Sequence, residues 1–175
     1  MEIYKYIADS ETYESLETSL EYRDVMHSLG DCKPLAQSWK PVAVQASWRL
    51  GHRGDFPCLR SYAPVFSSRA WDVLRPLIEK SVELLPIIYP PRNYSLINVL
   101  EVINCLDPVR TELDVNDISG NVTAIHKRAF RDDLVIDKHI FKTPQTRHLE
   151  VLVSDKFKLL VKENDLKGLR FERLG

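Results

Sequence analysis

The spacing of hydrophobic residues predicts two amphipathic helices in this chain. In the first, apolar residues recur three, four, seven and eight positions apart, which places them on one helical face: Ala70, Trp71, Leu74, Leu77 and Ile78. In the second, Phe157, Leu160 and Val161 form a similar stripe. A stripe of this kind is typical of a face buried in a core and is rarely a ligand-binding site.

Each predicted helix begins after a serine and leads into a further extended segment. Ser67 and Ser154 stand where a side-chain oxygen can cap the free N–H groups of the first turn. Pro76 should stop or bend the first helix, because proline lacks a donor and clashes with the preceding turn. The second helix should end at Asn164, since asparagine tolerates the left-handed conformation found at helix C-termini. Apolar strands at residues 83–88 and 169–174 should follow.

The remaining hydrophobic pattern predicts mostly strands. Alternation indicates strands at residues 1–8 and at Val42, Val44, Ala46 and Trp48. Residues rich in valine and isoleucine predict a strand within 94–106. Further short strands are predicted at the following residues: 111–115, 121–130, 134–136 and 139–142, with a turn at 116–121. Residues 13–26 indicate a weak helix or an irregular segment that ends at Gly30. We therefore expect an α+β fold in which residues 1–175 form a single domain, with a mixed or mostly antiparallel sheet and a few packed helices.

Composition excludes several classes of protein. The 175 residues are 44% hydrophobic and 28% charged, as in an ordinary globular chain, and no apolar run approaches the roughly 20 residues that span a bilayer. The first 14 residues lack the basic and apolar segments of a secretion signal. The three cysteines are too few and too far apart for a disulfide framework or a zinc site, so we expect reduced thiols and a cytosolic location.

The search for catalytic or ligand-binding motifs predicts no catalytic residue, no cofactor and no metal. The five histidines are scattered, without the spacing of a metal site, and no phosphate-binding or nucleophile motif is present. His52 and Cys58 could form a thiol–imidazole pair, but a core cysteine is the simpler interpretation. An enzyme whose site combines distant residues such as His52, Asp55 and Asp132 remains an alternative, as does an interaction module of a secretion or signalling assembly.

Four segments of this chain resemble the sequence motifs of one bacterial protein family, and they occur in the same order. They read KPLAQSWKPV, then GDFPCLRSYAPVFSSRAWDVLRPLIEKSVELLPI, then KHIFK, and finally VLVSDKFKLLVKENDLKGLRFERL. Together with the first predicted strand, these ordered segments make the chain similar, from Met1 to Leu174, to the eleventh immunity-protein family of bacterial polymorphic toxin systems. Two departures are Asn164, where members often carry glycine, and the proline-rich residues 89–93. The resemblance implies a non-enzymatic protein that binds a cognate toxin from a neighbouring gene and blocks it inside the producing cell.

Charge suggests where such a toxin would bind. Residues 1–30 hold seven acids against two bases, a balance of −5, whereas residues 138–175 hold nine bases against five acids, a balance of +4. The acids Glu11, Glu14, Glu17, Glu21 and Asp24 are mostly three or four residues apart. On a helix, Glu14, Glu17 and Glu21 would form one stripe, and Glu11 would extend it. A toxin that attacks nucleic acids has a basic cleft, which such an acidic stripe can fill in place of phosphate. We therefore predict that these residues bind the partner protein. We expect no binding of nucleic acid or membrane. An exposed face that serves only solubility is the alternative. The identity of the toxin and the oligomeric state stay open.

Overall fold

Strands and short helices alternate along the chain. The computed structural model describes residues 1–47, 51–59 and 63–175. The strands are β1 (Ile3–Ala8), β2 (Ser15–Thr18), β3 (Val42–Ala46), β4 (Cys58–Leu59), β5 (Val65–Ser67), β6 (Val82–Ile88), β7 (Tyr94–Val99), β8 (Glu112–Val115), β9 (Val122–Lys127), β10 (Ile140–Phe141), β11 (Leu152–Ser154) and β12 (Leu169–Leu174). The helices are α1 (Arg23–Ser28), α2 (Ser68–Ile78), α3 (Asp132–Val135) and α4 (Asp155–Glu163). None of the helices in these ranges is long and apolar enough to cross a membrane.

The strands form three sheets whose pairings are mostly antiparallel. A four-stranded sheet has the order β10-β11-β1-β12, and a six-stranded sheet has the order β4-β2-β3-β6-β7-β5. Within the described ranges, the strand pairs β2–β4 and β3–β6 are parallel. Strands β8 and β9 form a separate two-stranded sheet. The predicted α+β class is thus confirmed.

Two units of the same topology organise these sheets. In one, α2 connects β5 to β6, and the antiparallel strand β7 lies between them. In the other, α4 connects β11 to β12, with β1 between them. The capping serines occupy equivalent positions, since Ser67 pairs with Tyr94 and Ser154 with Ile3. The prediction that each helix leads into a strand is confirmed, although the two strands belong to different sheets.

Both helices begin as predicted. Ser67 Oγ accepts a hydrogen bond from the Ala70 N–H at 3.0 Å, and Ser154 Oγ accepts one from the Phe157 N–H at 3.2 Å. Of the two predicted effects of Pro76, the stop is wrong, because α2 continues to Ile78, and the bend stays a prediction. Pro76 is exposed and lies near the helix end, where the lost donor removes a single hydrogen bond.

The C-terminal end of α4 lies where it was predicted but has a different conformation. The helix stops before Asn164, which has a φ of −96°. The left-handed conformation belongs to the next residue, Asp165, with a φ of 50°. Asn164 instead donates its backbone N–H at 3.1 Å and its side-chain amide at 2.9 Å to the same Leu160 carbonyl.

One hydrophobic cluster joins the two units. It contains buried side chains from both larger sheets and both long helices, among them Phe66, Leu74, Val153 and Phe157. A second cluster, which includes Met26 of α1, covers the other face of the six-stranded sheet. A third, which includes Val135 of α3, covers the other face of the four-stranded sheet. The helical stripes are therefore core, as predicted, with Trp71, Leu77 and Leu160 only partly buried.

Two segments differ from their predicted structures. Within residues 13–26 the chain forms β2, a 3-10 turn at Leu20–Tyr22 and α1 rather than one helix. Pairing of Leu16 with Ala46 in β3 decides this, and such a distant contact overrides weak local preference. The strand predicted at 134–136 is wrong, because most of that segment belongs to α3. The prediction for β3 is confirmed, but Trp48 lies outside the described residues.

The segment GDFP lies against the loop that leads into β12. Asp55 Oδ2 accepts from the Lys167 N–H at 2.9 Å, and the Asp55 N–H donates to the Lys167 carbonyl at 2.7 Å. Gly168 has a φ of 103°, and a Cβ there would lie 3.2 Å from the Phe56 carbonyl oxygen. Two of the segments that carry the family resemblance are thus adjacent in space and tie the two units together.

Candidate partner-binding surface

The five acids predicted as one stripe lie on several elements. Glu17 is in β2, Glu21 is in the 3-10 turn, and Asp24 is in the first turn of α1, whereas Glu11 and Glu14 precede β2. Because a strand alternates its side chains and a helix does not, this segment presents no continuous helical stripe. The geometry assumed for the stripe is therefore wrong.

Glu14 is a buried structural residue. Its side chain is 8% exposed, and Tyr94 Oη donates to Glu14 Oε1 at 2.5 Å while Tyr89 Oη donates to Oε2 at 3.3 Å. The two tyrosine rings stack with centroids 6.0 Å apart. Burial and the neighbouring carboxylate raise the pKa of both hydroxyls, so both keep the proton that they donate. Glu14 is thus unavailable to a partner.

Strand pairing cancels part of the charge imbalance along the sequence. Because β12 pairs with β1, the bases of the C-terminal strand meet the acids of the N-terminal segment. Arg170 lies 3.2 Å from Glu11 and 3.7 Å from Asp9, and Arg173 lies 2.7 Å from Glu2. The three remaining acids of the predicted set stay exposed and outside these ion pairs: Glu17, Glu21 and Asp24.

The residues considered for an enzyme site have separate surroundings. Asp55 is buried and accepts from Ser67 Oγ at 2.8 Å and from Arg69 Nη1 at 3.3 Å, in addition to its contacts with Lys167. His52 is exposed in the same loop as Asp55, and Asp132 is exposed in α3. Among the described residues, no hydrogen bond or ion pair joins any two of these three side chains. Asp55 therefore holds the cap of α2 against the loop before β12.

The concave surfaces of the described chain are shallow. One groove of about 280 Å³ lies between β1 and the segments around Pro57 and Pro64. Another, of about 470 Å³, contains Lys5, Arg128 and Glu150, and both cations lie 2.6 Å from the same carboxylate. In residues 1–47, 51–59 and 63–175, no group of three His, Cys, Asp or Glu side chains is placed to hold a metal ion. The three cysteines form no disulfide.

The β8–β9 hairpin presents the most exposed hydrophobic side chain of the described residues. Ile118 in its turn is 97% exposed, and Val115 at the end of β8 is 47% exposed. The turn is ordered by Asn116, whose Oδ1 accepts from the N–H groups of Ile118 and Ser119 at 3.1 and 2.8 Å. Strands β8 and β9 pair only with each other and belong to neither of the larger sheets.

The sequence predicted this hairpin as two strands and a turn but gave it no role. A signal was present in the turn itself, which reads NDISGN and sets an isoleucine among residues that favour turns. Apolar residues usually avoid such positions, because the turn side chain has no core to face. An exposed hydrophobic residue held on an ordered turn is the kind of feature that partner-binding loops present.

A comparison with known families finds a match to the C-terminal part of the chain. Residues 90–175 match the immunity protein family Imm11. The resemblance seen in the sequence is therefore confirmed for an Imm11-like immunity protein over these residues, which run from the loop before β7 to the end of β12. They include the β8–β9 hairpin, α4 and the loop that contacts Asp55. A comparison with curated proteins finds no significant match.

Proposed function

We propose that this protein is an immunity protein that binds a cognate bacterial toxin and neutralises it without catalysing a reaction. The observation that carries this proposal is the match of residues 90–175 to the Imm11 family. The partner would be the toxic domain encoded by a neighbouring gene, and the encounter would take place in the cytoplasm of the producing cell. Residues 1–175 would act as one binding unit, because one hydrophobic cluster joins both halves.

The side-chain contacts support binding over catalysis. Asp55, the most buried of the residues considered for an enzyme, uses its carboxylate oxygens to bind Ser67, Arg69 and the Lys167 backbone. A general base needs a free oxygen within hydrogen-bond reach of a substrate proton. The exposed hairpin turn, in contrast, offers side chains that a protein partner can bury.

The decisive experiment combines protection with binding. The toxin domain encoded by the adjacent gene is produced in a sensitive cell with and without this protein, and growth is measured. We expect growth to be restored, and the two purified proteins to co-elute as a complex in size-exclusion chromatography. Protection without complex formation, accompanied by chemical modification of the toxin or its target, would instead establish the enzyme alternative.

The exposed acids form a second part of this proposal. Glu17, Glu21 and Asp24 would attract a basic toxin surface and speed its approach, without forming the main contact. Glu11 and Glu14 are removed from the predicted set, since one pairs with Arg170 and the other is buried against two tyrosines.

A further inference from the structure

We propose that the β8–β9 hairpin is the arm with which this protein fills an apolar, positively charged cleft of its toxin. This inference rests on the proposed function and adds to it the surface used and the chemistry of the partner's site. The hairpin is defined here as residues 107–130, and its tip as residues 115–122.

Exposure of apolar side chains at the tip is the first observation. Ile118 is 97% exposed and Val115 is 47% exposed, and Val115 pairs across the hairpin with Val122. Single apolar residues on a surface are common, but these two exposed side chains and the half-buried Val122 all lie within residues 115–122. A partner that covers the tip removes this apolar surface from water, which is the main driving force of most protein associations.

Order in the tip is the second observation. Besides its contacts with Ile118 and Ser119, Asn116 donates its N–H to the Asn121 carbonyl at 2.8 Å, and its own carbonyl accepts the Gly120 N–H at 2.8 Å. Gly120 has a φ of 69°, which allows the chain to turn back, and nothing lies within 4 Å of where its Cβ would stand. The turn therefore holds Ile118 in one place before any partner arrives, and preorganisation lowers the entropic cost of binding.

The base of the hairpin is fixed to the body of the protein. The Asp107 N–H donates to the Ala129 carbonyl at 2.8 Å, and Leu106 forms a bridge with Phe130. Asp107 also accepts from Arg110 Nε at 2.8 Å, and this contact together with the backbone N–H groups of residues 109 and 110 lowers the pKa of Asp107 to about 2. The hairpin thus projects from a rigid support.

Charge on the hairpin indicates the partner's chemistry. Residues 107–130 contain four acids and three Lys or Arg, but the bases lie towards the base of the hairpin, and the tip, residues 115–122, carries Asp117 as its single charged residue. Asp114 pairs with His126 at 2.8 Å and Glu112 lies 3.6 Å from Lys127, both towards the base. The side chain of Asp117, next to Ile118, has no ion pair or hydrogen bond within the described chain. A complementary site would therefore combine an apolar pocket for Ile118 with a Lys or Arg for Asp117.

Register irregularities disfavour recognition through the strand edges. The pairing of β8 with β9 shifts between Glu112 and Leu113 and again between Asp114 and Val115. Such bulges increase local twist and hinder the addition of another strand. The tip side chains, rather than the backbone, should therefore make the contact.

The test compares two exposed isoleucines in the full-length protein. Ile118→Ser removes the proposed anchor, and Ile136→Ser is the matched control, since Ile136 is 64% exposed and lies outside the hairpin. Binding is measured by calorimetry with a catalytically inactive form of the toxin domain from the adjacent gene. We expect Ile118→Ser to raise the Kd at least about thirtyfold, as truncation of a central interface residue does. Ile136→Ser should change the Kd less than about twofold, and both variants should keep the wild-type melting temperature.

A second variant and a second measurement separate the possible outcomes. Asp117→Lys should raise the Kd about tenfold by placing like charges together, and hydrogen exchange should show residues 112–125 protected in the complex. Equal Kd values for wild type and Ile118→Ser, with no added protection, would refute the hairpin as the arm while leaving the immunity function intact. Failure of the wild-type protein to bind the toxin at all would refute both.

Discussion

At the scale of single residues, Glu14 shows how an acid predicted to bind a partner can instead be a buried structural residue. In the sequence it looks like Glu17 or Glu21, because each is an acid in a polar stretch. Its partners Tyr89 and Tyr94 lie 75 and 80 residues away along the chain, and nothing local indicates them. A buried carboxylate is tolerated only where hydrogen-bond donors contact it, and only the tertiary structure shows which donors do so.

Replacement of Glu14 should therefore affect stability rather than binding chemistry. Glu14→Gln removes a charged acceptor from two tyrosine hydroxyls, and we expect the free energy of unfolding to fall by about 1–3 kcal/mol. The exposed Glu17→Gln should change it by less than about 0.5 kcal/mol. Urea unfolding of both variants measures the difference, and equal midpoints would mean that Glu14 is no more buried than its neighbour.

At the scale of elements, the sequence predicted the parts with strong local signals. Ser67 and Ser154 were identified as caps because a serine directly before an apolar stripe is a strong signal for the start of a helix. The end of α2 was misplaced, because Pro76 near a helix end costs less than a proline in the middle. Helix α3 was missed because four residues are too few for a periodic pattern to appear.

Replacing an aromatic side chain by alanine should lower the free energy of unfolding more in α4 than in α2. Phe157 is fully buried, so Phe157→Ala should lower the free energy of unfolding by about 3–5 kcal/mol. Trp71 is only partly buried on the equivalent helix, and Trp71→Ala should cost about 1–2 kcal/mol, since part of the ring already meets water. Denaturant unfolding of the two variants measures this order, and the reverse order would place Trp71, not Phe157, at the centre of the core.

At the scale of the whole molecule, contacts between distant segments decide what the sequence could not show. The pairing of β1 with β12 offsets part of a charge imbalance that looks large along the chain. The junction of Asp55 and Phe56 with Lys167 and Gly168 joins residues that lie more than 100 positions apart. Local patterns predicted the segments on both sides of each contact, but which segments would meet depends on the packing of both sheets around one core.

Two glycines of positive φ allow the junction to be tested. Gly120→Ala places an alanine at a φ of 69°, in the left-handed helical region, at a cost of roughly 1–2 kcal/mol, whereas Gly168→Ala places one at a φ of 103°, outside that helical region. Of these two positions, only the Cβ at 168 also approaches another segment, at 3.2 Å from the Phe56 carbonyl oxygen. We expect Gly168→Ala to lower the free energy of unfolding by about 1–3 kcal/mol more than Gly120→Ala does, which is the usual cost of overpacking. Equal losses in urea unfolding would show that the close contact is not maintained in solution.

The exposed N-terminal acids should affect the association rate constant for the toxin, whereas burial of the hairpin tip should affect the dissociation rate constant. Glu17, Glu21 and Asp24 are exposed and carry no ion pair to a base of the described chain, so their field acts before contact. Reversing all three to lysine should slow association with the toxin about three- to tenfold at low salt and weaken its salt dependence. Ile118→Ser should instead speed dissociation, since removal of a buried anchor acts after the complex has formed.

Stopped-flow association at two salt concentrations, followed by competitive dissociation, separates these effects. The triple lysine variant must first show an unchanged circular-dichroism spectrum, which we expect because all three side chains are exposed. Reversal of the same number of exposed acids elsewhere, Asp132, Glu163 and Glu172, controls for net charge alone. An equal slowing by this control would mean that overall charge, and not the N-terminal acids, steers the toxin. An association rate that is unchanged at both salt concentrations would remove those acids from the binding surface and leave the hairpin as the proposed contact.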